Sequence, residues 1–108
     1  MPAHLAEPLA TYFRASNAHD IEAMISQFTP GAMVEDEGEI YLGLDAVRGW
    51  MVETIRKYDF SIEITEVLEE PGRTIANGRI SGTFPGSPVT VRHEFTLDSG
   101  KIARLVIR

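Results

Sequence analysis

Cysteine is missing from all 108 positions of the chain. Disulfide staples, thiolate catalysis and Cys-based zinc or iron–sulfur sites are thereby excluded. Long apolar runs are missing too, and none approaches the roughly 20 residues that a membrane-spanning helix needs. The first ten residues carry neither the basic nor the apolar stretch of a secretory leader, so a cytoplasmic location is expected. Basic charge is in deficit, with 10 Lys and Arg against 16 Asp and Glu and a net charge of −6. An acidic surface repels phosphate backbones, which argues against nucleic acid as a partner. Arg79, Arg92, Lys101 and Arg104 gather in the second half, but they alternate with other residue types as a solvated sheet face does. His4, His19 and His93 show no zinc-ligand spacing, and Glu35, Asp36, Glu37 and Glu39 lack the alternation of a calcium loop. Neither a metal nor a cofactor is expected.

What is present is the material of one ordinary globular core. Hydrophobic residues make up 44% and charged residues 24%, which suits a single domain over residues 1–108 and leaves too little for a second. The first half reads as helix. Leu5, Leu9, Tyr12 and Phe13 recur at helical spacing between His4 and Ala18, and Asp20 can cap a second short helix carrying Ile21, Met24, Ile25 and Phe28. Thr29-Pro30-Gly31 is expected to stop it. Two short extended pieces, Ala32 to Asp36 and Ile40 to Leu42, flank an acidic turn. A third helix is expected from Asp45 to Tyr58, with Val47, Trp50, Met51, Thr54, Ile55 and Tyr58 on its buried stripe.

After Asp59 the period changes to two. Strands are expected over Phe60–Leu68, with Ile62, Ile64 and Leu68 on one face, then over Thr74–Phe84, Val89–Leu97 and Lys101–Arg108. Turns at Glu70-Pro71-Gly72, Pro85-Gly86-Ser87-Pro88 and Asp98-Ser99-Gly100 separate them. Helices followed by an antiparallel meander predict an α+β domain with its helices on one face of the sheet. Gly78 and Gly82 share a face with Ala76, Ile80 and Phe84. Glycine inside a strand marks curvature or missing side-chain volume, and either leaves room between sheet and helices.

His93 stands in the apolar row Val89, Val91, Phe95 and Leu97, so it points inward. Alone, an inward histidine is more often a hydrogen-bonded core residue than a catalyst. Asp36, on the strand face of Val34, and Tyr12, on the first helix, can be brought to the same space. A carboxylate drawn out of water becomes a better base, and Tyr and His can donate to an oxygen that gains negative charge.

The run Tyr12-Phe13-Arg14-Ala15-Ser16-Asn17-Ala18-His19-Asp20, then Phe28, Val34-Glu35-Asp36, Gly43 and the third helix resembles the bacterial ketosteroid isomerases and the wider SnoaL-like (nuclear transport factor 2-like) superfamily. The resemblance covers nearly the whole chain and implies a cone: a curved antiparallel sheet wrapped around three N-terminal helices. It implies that Tyr12 stands where the isomerases keep an oxyanion-binding tyrosine, Asp36 where they keep the proton-shuttling aspartate, and His93 where they keep a protonated aspartate. The histidine departs from that pattern, which opens cyclisation, hydration or elimination chemistry beside isomerisation. The expected cavity wall comprises Trp50, Phe28, Val34, Phe84, Phe95 and Leu105. The expected partners are a small apolar molecule in that cavity and a second copy of the chain, paired through the outer face that carries Thr90, Arg92, Glu94 and Thr96. A non-catalytic binder of an apolar ligand and an interaction module with a vestigial pocket are the alternatives.

Overall fold

A computed structural model describes residues 5–108. Three helices, α1 (Leu9–Asn17), α2 (Ile21–Ile25) and α3 (Leu44–Tyr58), pack on six strands: β1 (Phe28–Asp36), β2 (Glu39–Leu42), β3 (Ser61–Glu70), β4 (Arg73–Ser81), β5 (Val89–Asp98) and β6 (Lys101–Ile107). The strands form one sheet in the order β2-β1-β6-β5-β4-β3. Every neighbouring pair is antiparallel except β1 and β6. The expected all-antiparallel sheet is therefore mixed at that one seam. A parallel pair needs a long crossover, and the whole segment from β2 to β5 supplies it.

α1 begins at Leu9 rather than at His4, which lies outside the described residues. Leu9, Tyr12, Phe13 and Ser16 fall at i, i+3, i+4 and i+7 and are all buried. Asp20 caps α2 as expected, its carboxylate accepting from the Ala23 N–H at 3.2 Å. The helix ends at Ile25, however, and Phe28 opens β1 opposite Ile102 instead of continuing the helix. Thr29-Pro30-Gly31 lies inside β1, at the stretch between Phe28 and Met33 where the register with β6 shifts. A bulge leaves backbone N–H groups out of the ladder, so proline is tolerated there.

α3 buries Val47, Trp50 and Met51 and ends at Asp59, whose φ of 44° leaves the helical region. In β3 the register shifts between Ile64 and Glu66, so Ile62 stays on the core side while Leu68 turns out, 52% exposed. A bulge reverses the alternation beyond it, which is why the expected shared face of Ile62 and Leu68 does not form. β4 stops at Ser81 rather than at Phe84. There Gly82 meets the end of α3: a Cβ at 82 would lie 2.4 Å from the Tyr58 carbonyl oxygen. Gly78 does face the core, where a Cβ would sit 2.8 Å from Ile62 Cγ2. The core proper is filled by Phe13, Met24, Val47, Met51, Phe95, Ile102 and Leu105.

Candidate active site

Between the helices and the open end of the sheet lies a cavity of about 840 Å³, walled mainly by apolar side chains. Tyr12, Asp36 and His93 all line it. Each is delivered by a different element. Tyr12 comes from the buried stripe of α1, where it is 3% exposed and packs edge-on against Phe13, Phe28 and Phe95 at ring distances of 5.1, 5.6 and 5.8 Å. Such T-shaped contacts fix a ring's direction while its hydroxyl points elsewhere.

Asp36 closes β1, just before the Glu37-Gly38 turn, where φ values of 53° and 78° make the tight reversal into β2. Burial raises its carboxyl above the ordinary range, against the opposing effect of a hydrogen bond from Trp50. The indole Nε1–H donates to Asp36 Oδ2 at 2.9 Å, so α3 holds one carboxylate oxygen in place. Trp50 is thus more than cavity wall. Burial, with the Asp36 charge adding to it, also pushes the Tyr12 phenol upward, so Tyr12 keeps its proton at neutral pH.

His93 is 2% exposed and stands between Phe13, edge-on at 5.4 Å, and Phe95, stacked at 6.3 Å. Burial lowers its pKa to about 4, so the ring is neutral at pH 7. His93 pairs with Ile107, and Glu35 pairs with Val106. Asp36 and His93 therefore flank Ile107 on the inner face, their backbones about 10 Å apart as two strand spacings.

The expected wall is met in part. Trp50 and Phe84 line the cavity. Phe28, Val34, Phe95 and Leu105 are instead core residues, between 0% and 2% exposed and packed behind it. They sit toward the closed end, where helices and sheet meet without a gap; the cavity opens at the other end, among Trp50, Thr54, Tyr58, Phe60, Ile80, Phe84 and Val89. Tyr58 spans that mouth. Its hydroxyl donates to Glu37 Oε1 at 2.7 Å and its ring packs against Phe84 at 5.5 Å. Ser16 is the site residue that the residue patterns did not single out. It lies one turn after Tyr12 on the same face of α1, so helical spacing from Tyr12 was the available signal. Among the described residues no group of three or more His, Asp or Glu could hold a metal ion. No helix among them is long and apolar enough to cross a membrane.

Residues 9–105 match the SnoaL-like domain family. The chain belongs to it. A protein of Sinorhizobium meliloti described as a candidate polyketide cyclase is 36% identical over 96% of this chain and 95% of its own, with a TM-score of 0.93. A Catenulispora acidiphila protein with a ketosteroid isomerase-like fold, solved in complex with trimethylamine, shares 14% identity and a TM-score of 0.84 over 97% of this chain and 86% of its own. The epoxide hydrolase/cyclase-like enzyme SalBIII, of pyran ring formation in salinomycin, shares 23% identity and a TM-score of 0.77 over 92% and 84%. The last two establish the SnoaL-like (nuclear transport factor 2-like) fold and nothing finer. A comparison with curated proteins finds no match.

Proposed function

We propose that this SnoaL-like domain is a cofactor-free cytoplasmic enzyme that moves a proton beside a carbonyl of a small, largely apolar substrate, as an isomerase, cyclase or dehydratase does. The observation that carries the reading is the half-buried Asp36 carboxylate, held by Trp50 in the same cavity as two neutral donors. Asp36 takes a proton from the carbon next to the carbonyl. The C–H electron pair becomes the enolate π bond, and the carbonyl oxygen takes the negative charge. Tyr12 O–H and the N–H of neutral His93 donate to that oxygen. In isomerisation, protonated Asp36 returns the proton to another carbon of the enolate; in cyclisation, the enolate carbon attacks a second carbonyl carbon, whose C=O π pair moves onto its oxygen, and that oxygen takes the proton held by Asp36. Donors that are preorganised and out of water are most effective where charge develops, which favours this chemistry in a largely apolar cavity. Support at the family level comes from the similarity to the candidate polyketide cyclase.

The test uses the phenolate as a stand-in for the enolate oxyanion. Titrating phenols against the fluorescence of Trp50, the only tryptophan, should show binding to the native protein and tighter binding to Asp36→Asn, because the variant removes a negative charge beside the bound anion. Removing one repulsion of this kind should tighten binding about tenfold, or about 1.4 kcal/mol. Equal binding by both proteins would favour a plain apolar binder, and no binding by either would sink the proton-transfer reading.

A two-fold pairing through the outer sheet face is proposed alongside. On that face Leu68, opposite Ile75, is 52% exposed. An exposed leucine beside the polar cluster around Glu94 suits a self-complementary contact. Sedimentation should show a dimer in the native protein and a monomer in Leu68→Glu; a native monomer at high micromolar concentration overturns the pairing.

A further inference from the structure

The mouth of the cavity is crossed by a bond that involves side chains alone. Tyr58, the last residue of α3, donates its hydroxyl to Glu37 Oε1 at 2.7 Å and so ties α3 to the β1–β2 turn. The main chain is held at both ends of this clasp. The Tyr58 carbonyl accepts from the Thr83 N–H at 2.9 Å and from the Thr83 hydroxyl at 3.2 Å. Glu37 stands in the two-residue turn closed by the pairing of Asp36 with Glu39, and Trp50 holds Asp36. Glu37 is exposed and Tyr58 half-buried, so rotation of either side chain is fast and opens the clasp without a backbone change.

The rim also carries an excess of charge of one sign. Glu35, Asp36 and Glu37 line the cavity, and Arg108 is the basic residue of its wall. The Arg108 guanidinium is engaged by Glu94 at 3.5 Å, on the outer face of the sheet. Lys57, 5.0 Å from the Tyr58 ring centroid, offsets part of the acidity from beside the rim. The remainder is still negative. Burial, with the charges of Glu39, Asp36 and Glu37 adding to it against Lys57, pushes up the phenol of Tyr41, whose ring lies 6.3 Å from Trp50.

We propose that Tyr58 and Glu37 are specificity-determining residues that form a gate: their clasp limits entry to the cavity, and the Glu37 charge admits uncharged compounds and turns away carboxylates and phosphates. The inference rests on the reading of this cavity as the substrate site and narrows the substrate to a class. An anion passing Glu37 meets like charge before it can reach Tyr12 and His93, whereas the rings of Tyr58 and Phe84 present an apolar surface to a neutral one. Negative charge on the substrate then arises only inside, after Asp36 has taken its proton.

The only tryptophan reads the gate without any ligand, because Trp50 is 6% exposed and forms part of the cavity wall. Its fluorescence is quenched with neutral acrylamide and with anionic iodide, at constant ionic strength. Tyr58→Phe removes the clasp and keeps both the ring and the charge; acrylamide quenching should rise about threefold, since access follows the open fraction. Glu37→Gln keeps a carbonyl acceptor for Tyr58 and removes the charge; the ratio of iodide to acrylamide quenching should rise about twofold. Acrylamide quenching that Tyr58→Phe leaves unchanged overturns the clasp, and an iodide-to-acrylamide ratio that Glu37→Gln leaves unchanged overturns the charge filter. No substrate analogue is used, so the result stands apart from the phenol titration: failure there removes the proton-transfer reading and leaves the gate standing, and failure here does the reverse.

Discussion

At the scale of single residues, the site is governed by how far each group is removed from water. His93 in the unfolded chain titrates near 6.5, whereas burial holds it near 4 in the fold. Between those values the unfolded chain binds more protons, so this group's contribution to stability rises with pH and is lost as pH falls through the window. At roughly 1.4 kcal/mol per pH unit, stability should drop by about 2 kcal/mol between pH 7 and pH 5. Urea midpoints at the two pH values, in the native protein and in His93→Phe, check this; the variant should lose that slope. Asp36 runs the other way. Its carboxyl is raised, so its contribution is present at low pH and is lost as pH rises through its native value. The two opposed groups are separable because each has its own variant. The inward direction of His93 was legible from the apolar alternation of its strand, and the placement of Tyr12 and Asp36 in one cavity followed from the resemblance. The bond from Trp50 to Asp36 was not, since 14 residues and two turns of chain separate the partners.

The elements are joined at a few points that local sequence does not reveal. Asn17, the last residue of α1, grips both backbone groups of Ile62 on the edge strand β3. Asn17→Ala leaves those groups and the end of the helix without their cross-link and should cost about 2 kcal/mol, read from urea unfolding. Asp20 and the periodicity of α1 and α3 were readable because caps and amphipathic stripes are local physics. The start of β1 was not. Met24, Ile25 and Phe28 fit a helical face, yet Phe28 leaves to pair with Ile102, a contact 74 residues away that outweighs the local pattern. The bulge in β3 is of the same kind: nothing in Ile64-Thr65-Glu66 announces it, and it decides on which side Leu68 emerges.

For the whole molecule, the mouth of the cavity depends on one junction between helix and sheet. The Tyr58 carbonyl, at the end of α3, accepts from the Thr83 N–H at 2.9 Å and from its hydroxyl at 3.2 Å, and Gly82 lies against the same oxygen. Backbone cannot yield as a flexible side chain does. Gly82→Ala should therefore push the β4–β5 connection and Phe84 off α3, at a cost of about 1–3 kcal/mol. Phenol binding should weaken in that variant, while Gly49→Ala, whose Cβ position is open and whose backbone is helical, should leave the contact with Tyr58 unchanged. Thermal unfolding and the Trp50 titration test both expectations. On the opposite side of the sheet Glu94 collects Arg73, Arg92 and Arg108 at 2.9, 3.2 and 3.5 Å. The outer face expected as a row of solvated polar residues is an ion-pair cluster with more guanidinium than carboxylate, because antiparallel pairing sets side chains of three strands side by side. The sequence by itself determined the one-domain α+β class, the two periodicities, the capping of α2 and the absence of thiol chemistry, all of which depend on composition or on residues within a few positions of one another. Only the tertiary structure decided the parallel seam of β1 and β6, the closing of Phe28, Val34, Phe95 and Leu105 into the core, and the opening of the cavity among Trp50, Tyr58 and Phe84. Those outcomes depend on which distant surfaces exclude water from each other, and that is a property of the assembled chain.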